Sequence, residues 1–311
     1  MTLLSRSLNK QLYLIVCIAI FSISCNKTID EPATVPRLSI AKKIATSAEF
    51  SILHAAIQKA GLHSILDSPG TYTVFAPTNQ EMIASGITLD QVNVFTAGQL
   101  SKIIKYHILP IRLFLDDFKI GVYYNEIAIS GDASFVTRND QGLFVNGIKM
   151  QQSDLIQTNG IIHIPSKLLL PPEGDLLEVV AVDSSLTFFR AALLKTANGG
   201  TDLANALVCG CKYTLFAPTN NAFKLGGYPT LGSIDSADYK KMVALLSYHI
   251  SRQLVFSSDW INQMSLHMIN GRQIQLIQNG NEMMVKGTAN LLPIKIIKHN
   301  TRSEERRVGK E

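Results

Sequence analysis

The amino-acid sequence predicts an α+β protein made of two tandem copies of one domain, and three observations carry that reading. The phrase YTVFAPTN, Tyr72 to Asn79, returns as YTLFAPTN, Tyr213 to Asn220. Other anchors keep nearly the same spacing: Thr73 to Thr214, Tyr106-His107-Ile108 to Tyr248-His249-Ile250, and Val145 and Gly147 to Val285 and Gly287 lie 141, 142 and 140 residues apart. Within each copy, helix-period stretches come first and short strand-like runs follow, whereas an α/β chain would interleave them. At 311 residues, 46% hydrophobic and 17% charged, the chain has the length for about two domains and the apolar content to give each a core.

From the N-terminus, Arg6 and Lys10 precede the apolar run LYLIVCIAIF, Leu12 to Phe21, and SISC then ends at Cys25. A membrane-spanning helix needs roughly 20 apolar residues, so residues 1–24 are expected to be an export signal that is removed. The small residues leading to a single Cys resemble the bacterial lipobox, with Ser22 and Ile23 in place of the more usual Leu and Ala. That resemblance implies a lipid on Cys25, and plain secretion is the alternative. Acyl chains anchor because each buried methylene contributes about 0.8 kcal/mol. Residues 25–38, with NKTIDEPATVP and its two prolines, have no apolar period and read as a tether.

The first copy is assigned to residues 39–172. Its EFSILHAAIQKAGL, Glu49 to Leu62, places Phe50, Leu53, Ile57 and Ala60 at helical spacing and ends at Gly61. Tyr72 to Ala76 is rich in strand formers, and Pro77, which has no N–H to donate, stops the strand. Thr78 or Asn79 can then cap a helix by accepting from its orphan amides, and Thr78 with Glu81 has capping-box spacing. The shared phrase is therefore a corner: buried strand, forced stop, helix start. An amphipathic helix, Ala97 to His107, follows, and then short strands punctuated at Asp132, Asn139-Asp140, Gly142, Asn146-Gly147 and Asn159-Gly160. The closing run NGIIHI leads to PPEG, which breaks regular structure and marks the boundary.

The second copy is assigned to residues 173–300. It repeats the order with helices at Ser185 to Thr196 and Ser236 to His249, a strand at Tyr213 to Ala217, and turns at Asn270-Gly271 and Asn279-Gly280. Asn300 falls at the position of Asn159, but TRSEERRVGKE follows where the first copy has an apolar strand. The second copy is therefore expected to lack its last strand, with residues 301–311 as a foreign-looking tail. Cys209-Gly210-Cys211 precedes the second phrase. One intervening residue is awkward for a disulfide, which leaves a strained redox pair or soft-metal site on one side and two half-buried thiols on the other.

With these motifs located, the chain resembles a tandem of fasciclin domains over about Ser39 to Pro172 and Gly174 to Asn300. The ordered set TVFAPTN, YHI and NGIIHI is specific to that family. The family's first motif falls on Thr73, Phe75, Ala76, Pro77, Thr78 and Asn79, and again on Thr214, Phe216, Ala217, Pro218, Thr219 and Asn220. Met82 stands where the family commonly has Phe, which Phe223 supplies in the second copy. The resemblance implies a wedge of strands decorated by helices, extracellular or envelope adhesion, and no catalytic site. It also points to Tyr106-His107 and Tyr248-His249, the motif associated with receptor binding in animal relatives, as candidate partner-binding residues. Asn26 after the acylated Cys resembles the pattern of lipoproteins sorted to the outer membrane, facing either the periplasm or the surface.

Other chemistries find little support in the residues. Of the formal charge of +5, two positive charges are Arg6 and Lys10 and one net positive charge lies in the last eleven residues. The remaining +2 is too scattered for a nucleic-acid footprint. The seven histidines show no HxH or HExxH spacing, so neither a metal nor another cofactor is expected. His163 is expected at the core or an edge, and Asp116-Asp117 and Glu173 to Asp175 read as solvated turns rather than acid–base pairs. GxSxG and GxxxxGK[ST] are both missing from the sequence. Trp260 is either a core residue or an exposed platform for a sugar or a protein. The reading is a non-enzymatic envelope protein that binds protein or glycan partners and is tied to a membrane by lipid. The alternative is an accessory scaffold subunit of an outer-membrane glycan-uptake system, and a glycan hydrolase is disfavoured.

Overall fold

A computed structural model describes residues 37–172, 174–197, 200–208, 212–260, 263–280, 282–288 and 290–297. Cys25, the expected signal, most of the tether, Cys209, Cys211 and the 301–311 tail lie outside the described residues.

In the first domain, Ser39 caps the helix Ile40–Thr46, its Oγ accepting from the Lys42 N–H at 3.2 Å. A 3-10 turn, Ala48–Phe50, leads into the helices Ser51–Lys59 and His63–Asp67. Strand β1, Tyr72–Phe75, runs into the corner, and the helices Asn79–Ala84, Leu89–Val94 and Ala97–Tyr106 follow. The remaining strands are β2 (Ile108–Leu109), β3 (Tyr123–Ile127), β4 (Ala133–Asn139), β5 (Gly142–Val145), β6 (Ile148–Gln157) and β7 (Gly160–Pro165). Three short helices escape the sequence reading, because five to seven residues hold too few turns to show a period.

All seven strands form one sheet in the order β2-β1-β7-β6-β5-β4-β3. Strand β7 runs parallel to β1 and antiparallel to β6, and all six of its residues are buried. GIIHIP lacks polar alternation because both of its faces are covered. Successive residues of β1 serve different cores. Val74 packs with Ile44, Leu53, Leu100, Ile104 and Ile162 beneath the helices, while Phe75 packs with Tyr106, Val136, Val145 and Leu169 on the opposite face. Asn146 and Gly147, both at positive φ, make the tight β5–β6 turn.

The second domain repeats the order. Helices Leu176–Val182, Thr187–Thr196 and Leu203–Val208 precede strand β8, Thr214–Leu215. Helices Asn220–Leu225, Leu231–Asp235 and Tyr239–Ser247 follow, and then β9 (Ile250–Ser251), β10 (Met264–His267), β11 (Gln273–Asn279), β12 (Glu282–Gly287) and β13 (Ile294–Lys295). Phe188, Phe189, Leu193, Phe223, Met242 and Leu246 form its helical core. Trp260 is half-buried against Leu266 and Leu276, so it packs on the strand core.

Among the described residues the sheet divides: β8 pairs with β9, and β10 to β13 form a separate four-stranded sheet. The registers around the shared phrase differ between the copies. In the first domain β7 pairs with all four residues of β1, whereas β2 pairs only with Thr73 and Val74. Strand β8 contains just the equivalents of those two, Thr214 and Leu215, paired with β9. Among the described residues, no strand lies along its parallel edge. The shared phrase is consequently buried from Thr73 to Pro77 but only half-buried from Thr214 to Pro218.

The domains meet through the 3-10 turn Ser257–Asp259 and strand β4. Asp259 Oδ1 accepts from Thr137 Oγ1 at 3.1 Å, and the Ser258 carbonyl accepts from Asn139 Nδ2 at 2.8 Å. The Phe135 and Phe256 rings lie 6.3 Å apart, with Lys212 Nζ 5.1 Å from the Phe135 centroid.

Candidate functional site

The residues that make the phrase repeat are spent on internal hydrogen bonds, and both copies spend them alike. Thr73 Oγ1 donates to the Ile111 carbonyl at 2.7 Å and accepts from the Leu113 N–H at 2.9 Å. Thr214 Oγ1 does the same with Gln253 and Val255, at 2.7 and 2.9 Å. Each threonine pins the segment that leaves the short second strand.

After the proline, Thr78 is the N-cap residue, and its N–H donates to Glu81 Oε2 at 3.2 Å. Thr219 Oγ1 accepts from the Ala222 N–H at 3.3 Å. The asparagines have a task that the sequence reading left open. Asn79 Oδ1 accepts from the Ile52 N–H at 3.0 Å while Nδ2 donates to the Ala48 carbonyl at 2.9 Å, which clamps the start of an earlier helix. Asn220 repeats the clamp on the Phe188 N–H and the Ser184 carbonyl, both at 2.9 Å. The available signal was positional: threonine caps in both copies, so the adjacent asparagine is left for a distant partner.

Tyr106 and His107, at 0% and 1% exposure, are equally committed to the interior. Tyr106 OH donates to the Ala133 carbonyl at 3.0 Å and accepts from Asn146 Nδ2 at 2.8 Å. His107 Nδ1 lies 2.9 Å from the Ile103 carbonyl, and Nε2 is 3.0 Å from the Leu169 N–H. Since Leu169 can only donate, Nε2 accepts and the proton sits on Nδ1. Burial pushes the His107 pKa down to about 4, against a smaller opposing effect of the bond to Ile103. A partner docking near this helix end meets the loops that the pair holds in place, not the two rings.

In the second domain Tyr248 and His249 are half-buried. His249 Nδ1 lies 2.8 Å from the Leu245 carbonyl, and burial lowers its pKa. No described residue donates to its Nε2. Tyr248 OH accepts from the Thr288 N–H at 3.1 Å, where Lys286 stands in place of Asn146.

The remaining candidates also sit in structural positions. His163 is fully buried, with Nε2 3.0 Å from the Leu113 carbonyl and Nδ1 accepting from the Asp154 N–H at 3.3 Å. Asp117 Oδ2 accepts from the Phe114 N–H at 2.7 Å, and exposed Asp116 pairs with Arg138 at 3.0 Å. Among the described residues, no three His, Cys, Asp or Glu side chains converge on a metal-sized site. Among those residues, too, no helix is long and apolar enough to cross a membrane.

The family model for the fasciclin domain matches residues 48–171 and 185–305. This chain belongs to the fasciclin family. Human periostin is 28% identical over 251 residues, which are 80% of this chain and 28% of periostin. The pig transforming growth factor-beta-induced protein ig-h3 is 32% identical over 171 residues, 53% of this chain and 24% of that protein. Protein sll1483 of Synechocystis is 30% identical over 147 residues, 46% of this chain and 79% of its own length. The chain thus spans about a quarter of the two animal relatives. A solved fasciclin domain pair from the insect cell adhesion molecule Fasciclin I aligns with 85% of this chain and 92% of its own, at 15% identity and a TM-score of 0.38. The α+β tandem expected from the sequence is the fold observed, and among the described residues the second fasciclin domain has fewer strands than the first.

Proposed function

We propose that this fasciclin tandem is a non-catalytic binding protein of a bacterial cell envelope, held at a membrane by lipid on Cys25 and carried away from it by residues 25–38. Its two domains, bounded near 39–172 and 173–300, present loops and sheet faces to an extracellular protein or a glycan. One observation carries this reading: the motif side chains of Thr73, Asn79, Tyr106 and His107, and their partners in the second copy, bond within their own domains. Such a module is a rigid scaffold whose specificity lies in its outward-facing surface.

The test is solid-phase binding of the purified chain to immobilised matrix proteins and to polysaccharides, together with acyl labelling of cells that express it. Saturable binding to at least one of these, weakened by surface substitutions around the Tyr106 and Tyr248 helix ends, is expected. Cys25→Ser is expected to abolish labelling and release the protein from membranes. Binding to none of the surfaces, or labelling that survives Cys25→Ser, overturns the proposal.

A further inference from the structure

Five Asn-Gly pairs occur in the sequence, beginning at Asn146, Asn159, Asn198, Asn270 and Asn279, and all share one latent reaction. The glycine nitrogen can attack the asparagine side-chain amide carbon, because a residue without a Cβ does not shield its own nitrogen. Hydrogen bonds to the asparagine amide or from the glycine N–H hold the two groups apart. Asn198 and Gly199 lie outside the described residues, which leaves four pairs to compare.

Two of the four are locked. Asn146 is 5% exposed, with Oδ1 accepting from the Phe135 N–H at 2.9 Å and Nδ2 donating to Tyr106 OH at 2.8 Å. Asn159 is 4% exposed, with Oδ1 accepting from the Ile40 N–H at 2.9 Å and Nδ2 donating to the Leu66 and Ser68 carbonyls, both at 2.8 Å. Asn270 is exposed but engaged: its Oδ1 accepts from the Arg272 N–H at 3.1 Å, and the Gly271 N–H donates to the Met268 carbonyl at 2.9 Å. Asn279 and Gly280 are both exposed, where β11 ends at its pair with Glu282. Among the described residues, nothing bonds the Asn279 side-chain amide and nothing accepts from the Gly280 N–H. The equivalent position in the first copy, Asn139, is followed by Asp140, and its Nδ2 is held by the Ser258 carbonyl.

We propose that Asn279 is a site of spontaneous deamidation, an ageing mark placed on the second domain without an enzyme. The Gly280 nitrogen gives up its proton to base and bonds to Asn279 Cγ. The Cγ–Nδ2 bond breaks, ammonia leaves, and a cyclic succinimide remains. Water then adds to either ring carbonyl and opens the ring, to aspartate or to isoaspartate, in which the main chain runs through the side-chain carbon. Nothing is oxidised or reduced, and water is the only co-reactant. Either product puts a carboxylate at position 279. The isoaspartate also lengthens the backbone by one methylene where β11 and β12 set their register.

The test holds the purified full chain in mildly alkaline buffer, folded and in urea, and follows each Asn-Gly peptide by mass-spectrometric mapping, with isoaspartate counted by enzymatic methylation. In the folded chain Asn279 is expected to convert at least about tenfold faster than Asn146 and Asn159, whose reaction waits on local opening, and ahead of Asn270. In urea these differences are expected to disappear. Asn279→Gln replaces an exposed, unbonded amide, so it is expected to leave the fold intact and to remove the signal at that position. The proposal is overturned if Asn279 stays intact in the folded chain over a time in which it converts in urea, or if Asn146, Asn159 or Asn270 keeps pace with it.

Discussion

Replacing Asn79 with alanine tests whether the shared phrase works as a corner. Its side chain makes three bonds: from the Ile52 N–H at 3.0 Å, to the Ala48 carbonyl at 2.9 Å and to Ser51 Oγ at 3.0 Å. The two backbone bonds contribute about 1 kcal/mol each, and stranding the Ile52 amide adds about 1 more. Water reaches the Ala48 carbonyl and the Ser51 hydroxyl and offsets part of the loss, so the net cost is roughly 2–3 kcal/mol. Asn220→Ala removes bonds to Phe188 and Ser184 and costs roughly 1.5–2 kcal/mol. Calorimetry of the full chain reads the two domains together, and each variant should lower the transition of its own domain by several degrees. A loss below about 0.5 kcal/mol for either variant, or an Asn79→Ala effect confined to the second domain, refutes the corner argument.

Other outcomes follow from the same geometry. Gly160→Ala drives a Cβ into the Tyr72 carbonyl and should cost at least about 3 kcal/mol in chemical denaturation, because β7 must leave β1. Acid should destabilise the first domain through His107, whose folded pKa of about 4 lies below its ordinary 6.5. The unfolded chain then binds the proton first, so stability is full above about pH 6.5 and falls by up to about 1.4 kcal/mol per unit towards pH 4. Equal urea midpoints at about pH 7 and pH 5 would contradict this. Asp259→Ala removes the acceptor for Thr137 Oγ1 and should cost about 1–2 kcal/mol of coupling, read as two calorimetric transitions moving apart.

The sequence made the corner legible because strand formers, a proline and a capping residue each leave a local mark. The periodic helices at Ser51–Lys59, Ala97–Tyr106 and Tyr239–Ser247 were legible for a similar reason. The inward commitment of Tyr106 and His107 was not, since it depends on Ala133, Asn146 and Leu169, which are 27, 40 and 62 residues away from their partners. Nor was the contact of Asp259 with Thr137, 122 residues apart, because nothing in the second copy marks that aspartate as facing another domain. The division of the second sheet among the described residues was not legible, because the shortening of β8 to the two residues that β9 pairs emerges only from the register.

The most direct measurement of the central claim is residue-resolved amide exchange on the chain alone. The Phe75 and Phe216 amides, each bonded to the carbonyl of the histidine in its own copy's Tyr-His pair, should both exchange slowly. Exchange at Phe216 at least about tenfold faster than at Phe75 would contradict a corner built twice.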